Sequence, residues 1–272
     1  MKTKRILWIF SMAALCVLLA VIVSARMTSK SEVILGGVQG GYLTIENSIF
    51  TDPEASEEEV STDDELAWPD IDINETQYSL IRDDPDHMLT SSYEPETNKL
   101  SEYNAYFSVD AIDYLEDFIS LINDEGYKVV IGSAYVNWAW QNKRFNGLWW
   151  QYYEYGYNGV KVDQETAVEL ARKSVMFPGT SEHQLGLAVD IFEKGKNDSA
   201  VAKANTEFYK FLNENCAEYG FIQRFPTKKM LLTGWDEPWH YRYVGEEAAK
   251  FIMENGLCLE EFYAHYVEDF YV

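Results

Sequence analysis

The stretch PGTSEHQLGLAVDIF, residues 178–192, sets His183, one of four histidines in the chain, seven residues ahead of Asp190. The aspartate lies inside an otherwise apolar run. On a helix, seven residues would put both side chains on one face, but about 10.5 Å apart along the axis. Ligands of one zinc ion bond it at about 2.0–2.2 Å, so a helix cannot bring both to a single ion. The local residues oppose a helix as well. Gly186 interrupts the run, and LAVDIF is rich in strand-forming residues. A turn around Gln184–Gly186 followed by a strand folds the histidine back beside the aspartate.

A second cluster, DEPWHYRYVG at 236–245, places His240 three residues after Glu237. Pro238 disfavours a helix interior, so a turn entering a strand is expected. His183, Asp190 and His240 would make three protein ligands and leave a fourth position to water, the pattern of a catalytic zinc. Glu237 would then stand beside that water as general base. Spacing alone leaves open a metal site, two histidines that are merely packed or exposed, and a hydrolase built on Ser181, His183 and Asp190. The last lacks the Gly-x-Ser-x-Gly turn that usually presents such a serine.

Outward from these motifs the chain reads as helices interleaved with short strands, an α+β fold with a small antiparallel sheet flanked by helices. In 109–127, Ile112, Leu115, Phe118, Ile119 and Ile122 recur at helical spacing and Gly126 suits the C-terminal cap. KVVIGSAY (128–135) reads as a buried strand, and 137–153 as a helix dense in aromatics. Helices are also expected at 164–175, 202–220, 245–256 and 259–267, and strands at 221–225 and 241–245. Cys216 and Cys258 leave a disulfide open.

Ahead of these elements, MKTKR precedes an uncharged run at residues 6–25 that Arg26 closes. About 20 apolar residues span a bilayer, and the basic front places the N-terminus in the cytoplasm and the rest outside. Residues 1–26 are therefore expected to be a transmembrane anchor, or a signal peptide. Residues 27–77, with GGVQGG and the acidic TDPEASEEEVSTDDE, read as a flexible tether, and 78–272 as the globular domain. The formal net charge of −23 argues against a nucleic-acid partner, which would need lysine and arginine clusters.

SEHQLGLAVD and EPWH together resemble the Ser-x-His-x-x-Gly-x-Ala-x-Asp and Glu-x-x-His motifs of the VanY-like D-alanyl-D-alanine carboxypeptidases, zinc peptidases of the M15 class. YGFIQRFP and GLCLEE extend the likeness over roughly residues 78–262. The resemblance implies a Zn2+ held by His183, Asp190 and His240, with Glu237 as the catalytic base. It implies Ser133, Tyr135, Gln141, Ser181, Arg224 and Trp239 around the substrate, with Tyr241 packed nearby. The implied reaction removes the terminal D-Ala from peptidoglycan precursors, which under glycopeptide attack destroys the antibiotic's target. The implied partners are the peptidoglycan stem peptide and, through the N-terminal helix, the membrane.

One departure matters. The family's Ser-Gly-Tyr-Arg is Ser133-Ala134-Tyr135-Val136 here, so the arginine is replaced by Val136. Valine cannot supply a bidentate carboxylate partner. Arg144 or Arg224 acting from another direction, a changed peptide end (an L,D-carboxypeptidase or dipeptidase), and a silent peptidoglycan-binding module all follow as readings.

Overall fold

The computed structural model describes residues 66–80, 87–195, 206–267 and 270. The expected anchor at 1–26 and most of the tether lie outside them. Among the described residues no helix is long and apolar enough to cross a membrane.

The run 178–192 folds as its residues dictate. A short 3-10 turn, Glu182–Leu185, ends at Gly186 in the left-handed region (φ 74°), and strand β4, Ala188–Glu193, follows. The other strands are β1 (Thr97–Lys99), β2 (Tyr106–Ser108), β3 (Val129–Ser133), β5 (Phe221–Phe225) and β6 (Glu237–Tyr243). β1 and β2 form a small antiparallel pair; the remaining four make an antiparallel sheet in the order β3-β4-β6-β5. β6 begins at Glu237, so EPWH belongs to the strand and not to a turn leading into it.

Alternation along the strands divides the sheet's two faces. Val189 and Ile191 of β4, Phe221 of β5, and Tyr241 and Tyr243 of β6 pack into one core. That core includes Leu115, Phe118 and Ile122 of helix α1 (Ile112–Asp124) and Leu212 of helix α4 (Glu207–Asn215). Each such apolar side chain stabilises the fold by about 1.5–3 kcal/mol when fully buried. The intervening residues Asp190, His240 and Arg242 are left for the opposite face. Over part of that face lies a second core, in which Ile222 and Val244 meet helices α6 (Glu246–Glu254) and α7 (Leu259–Tyr266).

Helix α2 (Trp138–Tyr155) starts at Asn137, whose Oδ1 accepts the Trp140 N–H at 2.8 Å. It packs chiefly against α3 (Gln164–Arg172) in a separate small cluster, where Phe145 meets Ala171 and Val175. Helix α5 (Met230–Thr233) is a single turn between β5 and β6.

Several expectations change. β3 is an edge strand with alternating exposure, not a buried one, because Val129 and Ile131 pack on the core while Val130 points to the other, open face. The helix expected to run to Gly220 breaks into a 3-10 turn at Cys216–Tyr219. Packing starts ahead of Tyr78, since Trp68 stacks on His265 with centroids 3.8 Å apart. Cys216 and Cys258 are separate buried thiols, and burial pushes both up to about 12.

Gly186 lies where the turn carrying His183 touches β2: its carbonyl accepts the Ser108 N–H at 2.8 Å, and a Cβ there would stand 3.3 Å from that nitrogen. A non-glycine residue at positive φ costs about 1–3 kcal/mol. Gly186→Ala is therefore expected to lower stability by about that amount, read from the midpoint of urea unfolding. An unchanged midpoint would show that the turn is not held in this conformation.

Candidate metal centre

The sheet register assembles the site. Ser133 of β3, Asp190 of β4 and His240 of β6 are aligned across three neighbouring strands. The turn at Gly186 returns His183 to the same point, as the spacing argument required. His183 Nδ1 lies 3.2 Å from the Ala188 carbonyl. That contact makes Nδ1 the protonated nitrogen and turns the Nε2 lone pair outward. The backbone N–H of Val136 donates to the His183 carbonyl at 3.2 Å and holds the turn from behind.

Three donor atoms converge. Asp190 Oδ1 is 3.5 Å from His183 Nε2 and 3.3 Å from His240 Nδ1. Two ligands of a tetrahedral zinc, each about 2.0–2.1 Å from it, are separated by about 3.3 Å. The buried Asp190 Oδ1 has no hydrogen-bond partner. An orphaned carboxylate oxygen between two imidazole nitrogens fits a divalent cation, and the donor set of two nitrogens and one oxygen suits zinc. Glu237 Oε2 stands 3.4 Å from His240 Nδ1, beside this point.

Electrostatics agree. Burial pushes Asp190 upward, but His183 and His240 outweigh it and hold the carboxyl below its ordinary range. Burial lowers His240, but Asp190, Glu182 and Glu237 raise it well above the usual imidazole range. A group of acids that holds a proton this firmly also attracts a cation that can replace the proton.

Behind His240 lies an ion cluster that the sequence did not reveal. Glu182 Oε2 is 3.4 Å from His240 Nε2, a charge contact on the far side of the imidazole in which neither atom has a formed hydrogen bond. Its other oxygen accepts from Arg224 Nε at 2.8 Å and lies 3.0 Å from an Arg242 nitrogen. Arg224 also makes a bidentate pair with Glu260, at 2.9 and 2.6 Å. Arg242, fully buried, donates to the Gln77 and Ser79 carbonyls. Burial would raise the Glu182 carboxyl, yet the two guanidiniums hold it well below the usual range. The signal available in sequence was position alone: Glu182 adjoins His183, and Arg242 is two residues beyond His240 on the same strand face.

The three converging residues and Glu237 open onto a cavity of about 600 Å³ that Ser133, Gln141, Ser181 and Trp239 also line. Gln141 is held by donating to the Met176 carbonyl at 2.6 Å. Trp239 stacks on Phe192, with centroids 5.9 Å apart. Gly132 lets that ring close, since a Cβ there would stand 2.2 Å from it. Two expected substrate contacts sit elsewhere. Arg224 is only 3% exposed and its guanidinium is taken up by Glu182 and Glu260. Tyr135 lies outside the lining, and its N–H is held by the Tyr106 carbonyl. Tyr241 faces the opposite core, where its hydroxyl donates to Asn213.

Removing the Glu182 charge leaves the buried Arg242 guanidinium without its carboxylate partner. Glu182→Gln is expected to destabilise the protein by about 3–5 kcal/mol and to weaken binding of added zinc about 10–100-fold. Chemical unfolding and a competitive zinc titration read the two effects. Retention of both would refute the role given to Glu182.

Residues 104–246 match the protein family described as VanY: D-alanyl-D-alanine carboxypeptidase. A D-alanyl-D-alanine carboxypeptidase of Enterococcus faecalis (strain ATCC 700802 / V583) is 36% identical over 190 residues, 70% of this chain and 67% of that protein. Two solved structures, each 36% identical with a TM-score of 0.56, cover 68% of this chain. One is a mutant of the vancomycin resistance D,D-pentapeptidase VanY, from a VanB-type resistance cassette, in complex with Zn(II), and 98% of its chain is covered. The other is VanYB in complex with D-alanine-D-alanine, with 97% covered. With its paired motifs on one cavity, the chain belongs to the VanY family of D-alanyl-D-alanine carboxypeptidases.

Proposed function

We propose that this chain is a zinc-dependent D,D-carboxypeptidase that removes the C-terminal D-Ala from peptidoglycan peptides ending in D-Ala-D-Ala. The observation that carries the reading is the convergence of His183 Nε2, Asp190 Oδ1 and His240 Nδ1 beside Glu237, in a cavity open to a peptide end. The VanY complexes with Zn(II) and with D-alanine-D-alanine support it.

When bound by these three residues, zinc would polarise the scissile carbonyl and acidify the attacking water. Glu237 then has the general-base role. Its carboxylate takes a proton from the water as the oxygen bonds the carbonyl carbon, and delivers a proton to the departing amine as the C–N bond breaks. The products are the shortened peptide and D-Ala. Glu182 keeps the His240 ring oriented. Ser133 and Ser181 offer hydroxyls on the cavity wall, while Trp239 and Phe192 form an apolar side that limits water.

The proposal extends to location. The uncharged run at residues 6–25 behind MKTKR supports a membrane anchor with the catalytic part outside the cell, where wall peptides are found. Loss of the terminal D-Ala there would lower sensitivity to glycopeptides, in line with the vancomycin-resistance VanY.

The test is release of D-Ala by the zinc-loaded full chain from a pentapeptide ending in D-Ala-D-Ala, with a tetrapeptide ending in a single D-Ala for comparison. Release from the pentapeptide is expected, with loss on chelation and return with added zinc. Glu237→Gln is expected to lower turnover about 10²–10⁴-fold while zinc binding persists. A folded, zinc-loaded chain that leaves the pentapeptide intact would sink the proposal. For location, the catalytic part in whole cells is expected to be cut by protease added outside and to sediment with membranes. Recovery in the cytosolic fraction would exclude the proposed topology.

A further inference from the structure

A peptide that ends in D-Ala-D-Ala brings a free carboxylate into this cavity. Asp190 and Glu237 line the same cavity, and a zinc ion there would be engaged at the scissile carbonyl, so a cationic side chain is the natural partner for the peptide end. Among the described residues lining the cavity, Arg144 is the one lysine or arginine. Arg224 and Arg242 are buried and committed to Glu182. Val136 adds no charge, and its backbone holds the His183 carbonyl.

Arg144 stands on α2, one turn beyond Gln141 and four residues after Trp140, and all three line the cavity. Residues three and four apart share a helix face, so the guanidinium belongs to the same wall as the Gln141 amide. It is exposed, with its carbon 6.0 Å from the Trp140 ring centroid. An aromatic neighbour of this kind limits the freedom of the side chain and leaves its donors available for a carboxylate.

We propose that Arg144 is the residue that binds the C-terminal carboxylate of the peptide and makes the cavity selective for a free peptide end. The proposal rests on the carboxypeptidase reading above, but carboxylate recognition can be measured without turnover.

The measurement uses the full chain carrying Glu237→Gln, loaded with zinc. Calorimetry compares N-acyl-L-Lys-D-Ala-D-Ala with the same peptide bearing a C-terminal amide. The acid is expected to bind roughly 10–100-fold more tightly than the amide. Adding Arg144→Gln is expected to erase the difference by weakening the acid alone, and Arg144→Lys to restore part of it, since lysine keeps the charge but loses the fork. In the chain with Glu237 intact, Arg144→Gln is expected to raise KM for the acid far more than it lowers kcat.

Equal affinity of the parent for both peptide ends, or a preference that survives Arg144→Gln, overturns the proposal. Release of D-Ala together with a preference unaffected by Arg144→Gln leaves the reaction standing and removes Arg144 from it. No release, but an acid preference that Arg144→Gln erases, removes the proposed reaction and keeps the role of Arg144.

Discussion

The Glu182 carboxylate, buried between two guanidiniums and an imidazole, ties the site to the fold. It sits at the start of the turn that carries His183. Arg224 brings β5 to it, Arg242 and His240 bring β6, and Glu260 adds α7 through Arg224. Gln77 and Ser79 join through Arg242. Stripping water from a carboxylate costs several kcal/mol, and the attraction between ions offsets this only when the geometry is good and the remaining donors and acceptors are met. Glu182 and Glu260 against Arg224 and Arg242 balance in charge. An apolar replacement of similar size could stabilise the fold as well, but it could not orient an imidazole. We read the cluster as retained for the direction in which His240 points.

How much of this was legible follows from which forces are local. The loop-plus-strand arrangement of His183 and Asp190 could be reasoned out, because a glycine at positive φ and two-residue alternation are written in adjacent positions. The pairing of His240 with them needed a second motif and the family likeness. Arg224 and Arg242 could not be placed from the sequence. On a strand, a charged residue between apolar ones normally faces water, and here it faces a core that α7 closes from far along the chain. The exposed face of β3 was hidden for the complementary reason, since a short apolar run does not say whether one face of its strand is covered or both. The cysteines had no local signal either way.

The Val136 substitution shows a division between backbone and side chain at the same position. The backbone N–H of residue 136 supports the His183 carbonyl whatever side chain is attached. A valine there leaves the backbone support of the metal-binding turn in place. This explains how the chain can depart from a family motif at a prominent position and still present the full set of donors on β4, β6 and the turn that precedes β4.

The cavity has two walls of different origin. The donors and Glu237 stand on the sheet and its adjoining turn. Trp140, Gln141 and Arg144 stand on α2, which has a small apolar cluster of its own with α3. Mutational history can act on such halves at different rates. Substitutions along α2 that face the cavity do not pass through the sheet core, so a lineage can explore new peptide ends while its reaction centre is inherited unchanged. The reaction centre and the helical wall are thus held by separate packing, so a change on one need not disturb the other.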